Sequence, residues 1–233
     1  MSGLEQIAYF DAQTALTGWL ARPVGTPRAV VLVFPTIMNT TASVEAKAMA
    51  LAEHGYLALI ADFYGEPVRD FSHSMALATA LRGDVDAYRA RLRAALAELV
   101  DLAPGLPCAA IGYCMGGQAV LELARENAAL EVVASFHGLL DTARPAPAGE
   151  VIRPRILVCH GDADALVPRA QVMAFWDEMD AAKANWHFHS YARVGHGFTN
   201  PAPPAAGGVN SYDPSADRQS WAATLELFDE VFG

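Results

Sequence analysis

The sequence predicts an α/β fold: one mostly parallel sheet with helices on both faces. Three observations carry that prediction. Short apolar runs rich in β-branched residues alternate with helix-length segments from residue 29 onward, which is the pattern of βα units feeding a parallel sheet. Several of those runs are continuous rather than alternating, as strands buried on both faces must be. The chain has 233 residues, 53% of them hydrophobic. That is enough for a large core, and no linker is long or polar enough to divide it, so residues 1–233 are read as one domain.

Taken in order, residues 6–10 and 15–21 read as two short strands about a polar turn at Asp11-Ala12-Gln13, an antiparallel start to the sheet. Residues 22–27 form a loop by their Pro and Gly content. A buried strand over 29–34 leads into a loop over 35–41 and a helix over 43–54, closed by Gly55 at C′. The next buried strand covers 56–60. At its carboxyl end stands Ala61-Asp62-Phe63-Tyr64-Gly65, where open α/β sheets place ligand crevices. An irregular stretch over 66–73 precedes helices over 74–81 and 84–102, and Pro104-Gly105-Leu106-Pro107 ends the second. Then follow a strand over 107–111, a helix over 115–127 and a strand over 131–136. A Pro- and Ala-rich surface connection over 142–154 leads to a strand over 156–159 and a helix over 169–182. The chain closes with a strand over 186–191, a loop over 194–198, a long loop over 200–214 and a helix over 215–231.

Charge and composition narrow the function. Sixteen basic residues stand against 26 acidic ones, a formal charge of −10. Neutralising phosphates needs the opposite balance, so neither nucleic acid nor an anionic membrane is an expected partner. No apolar run approaches the roughly 18 residues of a membrane span, and the start of the chain, Met1-Ser2-Gly3-Leu4-Glu5, has no secretory pattern. The three cysteines, Cys108, Cys114 and Cys159, form no CxxC and no disulfide framework. The expected compartment is therefore the cytoplasm. Cys108 and Cys159 fall inside apolar strands and read as core. No Cys/His spacing suggests a metal site, and no cofactor is implied.

The chemistry centres on Ile111-Gly112-Tyr113-Cys114-Met115-Gly116-Gly117. Between a strand and a helix this reads as a nucleophile elbow with cysteine in the usual place of serine. Glycine is needed two residues to either side, because a side chain there would collide across the turn. A cysteine at a helix N-terminus is also biased toward thiolate. Such a nucleophile needs a base, and the base needs a carboxylate to set its tautomer. α/β-hydrolases supply them in the chain order nucleophile, acid, histidine. Here the order is Cys114, then Asp162 or Asp164, then His196, each after an expected strand. Position alone leaves the choice between the two aspartates open. The oxyanion donors are expected to be the backbone N–H groups of Ile37 and Met115. Thr36, Phe63, Tyr64, Tyr113, His137 and Phe198 are substrate-pocket candidates by position, His137 reading equally well as core.

Together Gly112-Tyr113-Cys114-Met115-Gly116-Gly117, Gly161-Asp162-Ala163-Asp164-Ala165-Leu166-Val167-Pro168 and Gly195-His196-Gly197-Phe198 resemble the dienelactone hydrolase family, the carboxymethylenebutenolidases and their relatives. The stretch from Tyr56 through Asp62-Phe63-Tyr64 is similar too. The resemblance implies an α/β-hydrolase fold without a large cap domain, no cofactor, and a Cys-Asp-His triad that opens a lactone ester bond. It selects Asp164 as the acid, four residues before Pro168 of the Val-Pro pair. Two positions depart from the family's best-known members. Thr36 stands where they carry a glutamate that helps activate the cysteine, and Asn200 stands where they carry an arginine that holds a substrate carboxylate. Arg69 and Arg82 are cationic alternatives, each read as an ordinary solvated arginine.

The expected activity is hydrolysis of a small carboxylic ester or lactone through an acyl-thioester on Cys114. A second reading is a thiol-based redox or ligand-binding protein on the same scaffold, since a low-pKa cysteine at a helix N-terminus oxidises readily.

Overall fold

Eight strands and six helices are seen in a computed structural model that describes residues 3–147, 149–202 and 211–233. The strands are β1 (Glu5–Asp11), β2 (Thr14–Ala21), β3 (Val30–Phe34), β4 (Leu57–Ile60), β5 (Cys108–Tyr113), β6 (Val132–Phe136), β7 (Arg155–Gly161) and β8 (Trp186–Tyr191). The helices are α1 (Ala42–Glu53), α2 (Phe71–Arg82), α3 (Val85–Leu102), α4 (Met115–Arg125), α5 (Arg169–Ala181) and α6 (Pro214–Phe232). All strands join one sheet in the order β1-β2-β4-β3-β5-β6-β7-β8. β1 and β2 form the expected antiparallel start, with Tyr9 opposite Leu16, and β2 runs antiparallel to β4. From β4 to β8 every pairing is parallel.

The chain steps from β3 outward to β4, then crosses back to place β5 on the other side of β3. That reversal is a topological switch point, and the crevice outside the carboxyl ends of such strands is where α/β sheets bind ligands. Phe34 pairs with Gly112, so the turn leaving β3 and the turn leaving β5 emerge side by side.

Alternation along each strand divides the core into two layers. Val30, Leu32, Phe34, Leu57, Leu59, Cys108 and Ala110 face one side, with residues of α2, α3, α4 and α5. Val31, Val33, Ala58, Ile60, Ala109, Ile111 and Tyr113 face the other, with residues of α1 and α6. The strands read as continuous apolar runs because both layers are dry. α4 is buried along its whole length, so its charged residues must be paired internally. Arg125 bonds Glu122, Glu178 and the Leu140 carbonyl, and Arg89 bonds Glu122, tying α3, α4 and α5 together.

Most element ends differ from the expected ones by a residue or two, which is ordinary fraying. Two larger shifts have local causes. α2 begins at Phe71, inside the stretch read as irregular, because the Asp70 side chain accepts the His73 N–H and caps the helix. β5 runs on to Tyr113 because Gly112 and Tyr113 pair with Ser135 and Phe136 of β6, though glycine gives no strand signal. Much of the long loop expected over 200–214 lies outside the described residues. Among the described residues no helix is long and apolar enough to cross a membrane.

Candidate active site

β5 delivers Cys114 into a turn with φ 57° and ψ −116°, and α4 begins at the next residue. A side chain rarely adopts this backbone conformation, so the position stores strain. The flanking glycines permit it. A Cβ on Gly112 would overlap the Gly116 carbonyl, and one on Gly116 would overlap the Phe34 carbonyl oxygen. The Cys114 N–H is shared between the Phe136 carbonyl at 3.0 Å and His137 Nδ1 at 3.1 Å.

Asp164 and His196 converge on this turn from two further strands. Asp164 lies in the turn after β7, and its Oδ2 is 2.7 Å from His196 Nδ1. Its Oδ1 accepts the Leu166 N–H at 2.8 Å, which fixes the carboxylate plane. Asp162 instead binds Arg169 through both oxygens, at 3.1 and 2.6 Å. The loop bearing His196 is fastened to the start of α6 by Ser211 N–H on the His196 carbonyl and Asp213 N–H on the Phe198 carbonyl. His196 Nε2 is buried, with no hydrogen-bond partner among the described residues, and the Cys114 sulfur is its neighbour.

The electrostatics of the two groups are reciprocal. Burial is the largest influence on the Cys114 thiol and pushes it up. The neighbouring His196 ring and the backbone N–H groups of Met115 and Ile37 outweigh burial and hold it below the ordinary thiol value. Burial likewise pushes His196 down, but Asp164 and Cys114 together raise it to about 10. Both shifts favour a thiolate–imidazolium pair. Met115 N–H lies at the start of α4 and Ile37 N–H in the turn after β3, and both act on the sulfur to lower it.

That turn is held by a polar network centred on Asp62. Thr36 O accepts the Asn39 N–H at 2.9 Å, and Asn39 has φ 61°. The Asn39 amide donates to Asp62 Oδ1 at 2.8 Å, and its oxygen accepts the Phe63 N–H at 3.2 Å. The Asp62 carboxylate also accepts the N–H groups of Thr17, Tyr64 and Gly65. The Tyr64 hydroxyl donates to the Ile37 carbonyl at 3.0 Å, and the Tyr88 hydroxyl to the Met115 carbonyl at 3.2 Å.

Several pocket expectations need correction. Phe63 and Phe198 are fully buried and Tyr113 is 3% exposed. Phe63 stacks on Phe34, Tyr113 on Phe136, and Phe198 packs on Tyr191 and His137. These rings are core and offer a ligand no surface. Tyr113 shares the face of Ala109 and Ile111, as a count by twos along β5 would have indicated. His137 is also buried, engaged by Cys114 and Thr199. Thr36 remains half-exposed at the turn, and Tyr64 lies at the edge of the site, its hydroxyl committed to Ile37. Arg69 is exposed; Arg82 is half-buried, with Nε donating to Gln118 at 2.6 Å. Sequence reasoning did not single out Asn39, Tyr88 or Thr199, whose roles arise from contacts between distant segments. Among the described residues no group of His, Cys, Asp or Glu side chains could hold a metal ion.

Known proteins match the chain over most of its length. The model of the dienelactone hydrolase family matches residues 16–232. A protein of Bradyrhizobium described as a probable 2-oxo-3-(5-oxofuran-2-ylidene)propanoate lactonase is 28% identical over 228 residues, 89% of this chain and 86% of that one. An uncharacterized protein of Caenorhabditis elegans is 38% identical over 151 residues, 61% of this chain and 92% of that one. The crystal structure of a dienelactone hydrolase-like promiscuous phosphotriesterase from metagenomic libraries superposes with a TM-score of 0.88 at 33% identity, covering 99% of this chain and 98% of that one.

Proposed function

The chain belongs to the dienelactone hydrolase family, and from that premise we propose that it hydrolyses a carboxylic ester or lactone of a small molecule by acyl transfer to Cys114. The observation that carries this reading is the 2.7 Å hydrogen bond from His196 to Asp164, with the Cys114 sulfur beside the same imidazole. The Cys114 thiolate attacks the carbonyl carbon, forming the C–S bond as the carbonyl π pair moves onto oxygen. The Ile37 and Met115 N–H groups hold that oxyanion. Loss of one such donor typically costs about 2.7–4 kcal/mol of barrier. The intermediate collapses by breaking the C–O ester bond, and imidazolium His196 gives its proton to the departing alkoxide. Neutral His196 then takes a proton from water, the resulting hydroxide attacks the thioester carbonyl, and thiolate leaves. Asp164 keeps the imidazole in the required tautomer and stabilises it when charged.

Thr36 supplies no carboxylate, so in this reading the activation of Cys114 rests on His196 and the two amides. The lactonase relative and the phosphotriesterase relative add lactones and phosphotriesters to the substrate panel, beside an activated aryl ester. Thiol redox chemistry has less support, since Cys108 and Cys159 are both buried core residues.

The test is rapid-quench mass spectrometry of the intact protein with an activated aryl ester, beside Cys114→Ala and His196→Ala. The expected result is an acyl mass on Cys114, absent in Cys114→Ala and long-lived in His196→Ala. No adduct across the panel, with Cys114 still open to alkylation, would overturn the reading.

A further inference from the structure

His137 lies between the nucleophile and the histidine loop, and its chemistry is fixed from both sides. A backbone N–H can only donate, so Nδ1, which meets the Cys114 N–H at 3.1 Å, must carry the lone pair. The ring proton therefore sits on Nε2 and points at Thr199 Oγ1, 2.9 Å away. Thr199 belongs to the same loop as His196. The ring also packs edge-to-face on His196, with centroids 5.2 Å apart and planes at 68°. The titratable groups around it are Cys114, His196 and Tyr113. Burial first, and the adjacent His196 charge second, keep His137 neutral, so it is not available as a base.

We propose that His137 is a positioning residue: it joins the nucleophile's own amide to the loop that carries His196, and so sets the approach of the Cys114 sulfur to the His196 ring. The proposal rests on the reading of Cys114 and His196 as a reacting pair. A strained nucleophile holds its conformation only where its surroundings over-determine it. The Phe136 carbonyl already accepts the Cys114 N–H at 3.0 Å, so the elbow keeps a backbone partner without His137. What the imidazole adds is the second connection, through Thr199, to the histidine loop. Gap-spanning contacts of this kind matter because small misplacements of reacting groups cost rate steeply.

Three variants separate the two bonds. His137→Phe keeps a ring and loses both, His137→Asn restores an acceptor for the Cys114 N–H, and Thr199→Val removes only the far bond while keeping its volume. The first measurement needs no substrate: titration of the Cys114 thiolate by its ultraviolet absorbance in folded protein. His137→Phe is expected to move the midpoint up by about one pH unit or more, and Thr199→Val and His137→Asn, which each lose the connection to the histidine loop while the Cys114 N–H keeps an acceptor, to move it the same way. With an activated aryl ester, kcat of His137→Phe should fall roughly tenfold to a hundredfold while KM stays within about twofold. An unchanged midpoint in folded His137→Phe overturns the proposal, as does a wild-type midpoint in His137→Asn. If His137→Phe does not fold, an unmoved midpoint in Thr199→Val overturns it. Midpoints that shift in a protein that never acylates Cys114 uphold the role of His137 and sink the hydrolase reading instead.

Discussion

His196 Nδ1 and Asp164 Oδ2 lie 2.7 Å apart, in a contact where the Asp164 side chain is wholly buried. Asp162, two residues earlier, spends its charge on the exposed Arg169. The two carboxylates are therefore separable by mutation. Asp164→Asn leaves His196 facing an amide that can present a donor to Nδ1–H, which sets the wrong tautomer. Activity on an aryl ester should fall by roughly a thousandfold to ten-thousandfold. Asp162→Asn breaks a surface pair and should leave kcat/KM within about twofold of wild type. Steady-state kinetics of the two variants decide between them, and the reverse ranking would move the acid to Asp162.

The pH dependence of Cys114 reactivity follows from the pair's reciprocal shifts. Thiolate exists above the depressed Cys114 value, and imidazolium persists until about 10. Between those limits the ion pair is the resting form. The rate of Cys114 alkylation by iodoacetamide should therefore rise with pH to a plateau whose midpoint lies below that of an ordinary thiol. In His196→Ala the largest remaining influence is burial, which raises the thiol value. Alkylation at pH 7 should then drop by about tenfold or more, and the rate profile should move to higher pH. A rate-against-pH curve for the two proteins measures this directly; coincident curves would show that His196 does not set the charge on Cys114.

Local chemistry made much of this site legible, and long-range packing hid the rest. Val30–Phe34 and the first four residues of β5, 108–111, are apolar on both faces because both sides of the sheet are covered, so these stretches could be read from composition. The elbow was legible because glycines at 112 and 116 answer a steric demand within five residues. Asp164 could not be separated from Asp162 on position alone, since which one turns inward depends on Arg169 and on His196, 32 residues later in the chain than Asp164. Residues at strand ends misled for a related reason. Proximity to the crevice placed Phe63 and Phe198 in the pocket, but their rings turn into the core. The Asn39–Asp62 bond spans 23 residues and has no periodic signature.

Strain at Cys114 gives a stability prediction with an unusual sign. Glycine is ordinarily less stabilising than alanine by roughly 0.5–1 kcal/mol, through its greater freedom when unfolded. Cys114 sits at φ 57° and ψ −116°, where alanine keeps the clash and glycine relieves it. Relief of such a conformation is worth about 1–3 kcal/mol. Cys114→Gly should therefore be more stable than Cys114→Ala, both being inactive. Urea unfolding of the two variants checks it, and a more stable alanine variant would show that the elbow is unstrained.

The turn after β3 separates stability from catalysis at two bonded residues. Asp62 accepts four N–H groups, from Thr17, Asn39, Tyr64 and Gly65. Asp62→Ala removes the acceptor shared by all four, in a place with little access to water, and several unmet donors at about 1–3 kcal/mol each make this a severe lesion. Asn39→Gly differs in kind. Glycine accepts the positive φ of 61° and keeps the Asn39 N–H on the Thr36 carbonyl, so the turn still forms. Its tie to Asp62 is lost, and the Ile37 N–H that faces the sulfur is held less firmly. An imperfectly aimed oxyanion donor costs part of what a deleted one does, so kcat should fall by roughly tenfold to a hundredfold with KM little changed. The thermal midpoint of Asn39→Gly should stay within a few degrees of wild type, while that of Asp62→Ala falls well below it. Wild-type kcat in Asn39→Gly would mean that the Ile37 amide needs no such brace, or that it does not serve the oxyanion. Tyr64→Phe, which removes the hydroxyl bond to the Ile37 carbonyl, distinguishes these. A fall in kcat there keeps the amide in the mechanism and transfers the bracing to Tyr64; no fall in either variant removes Ile37 from it.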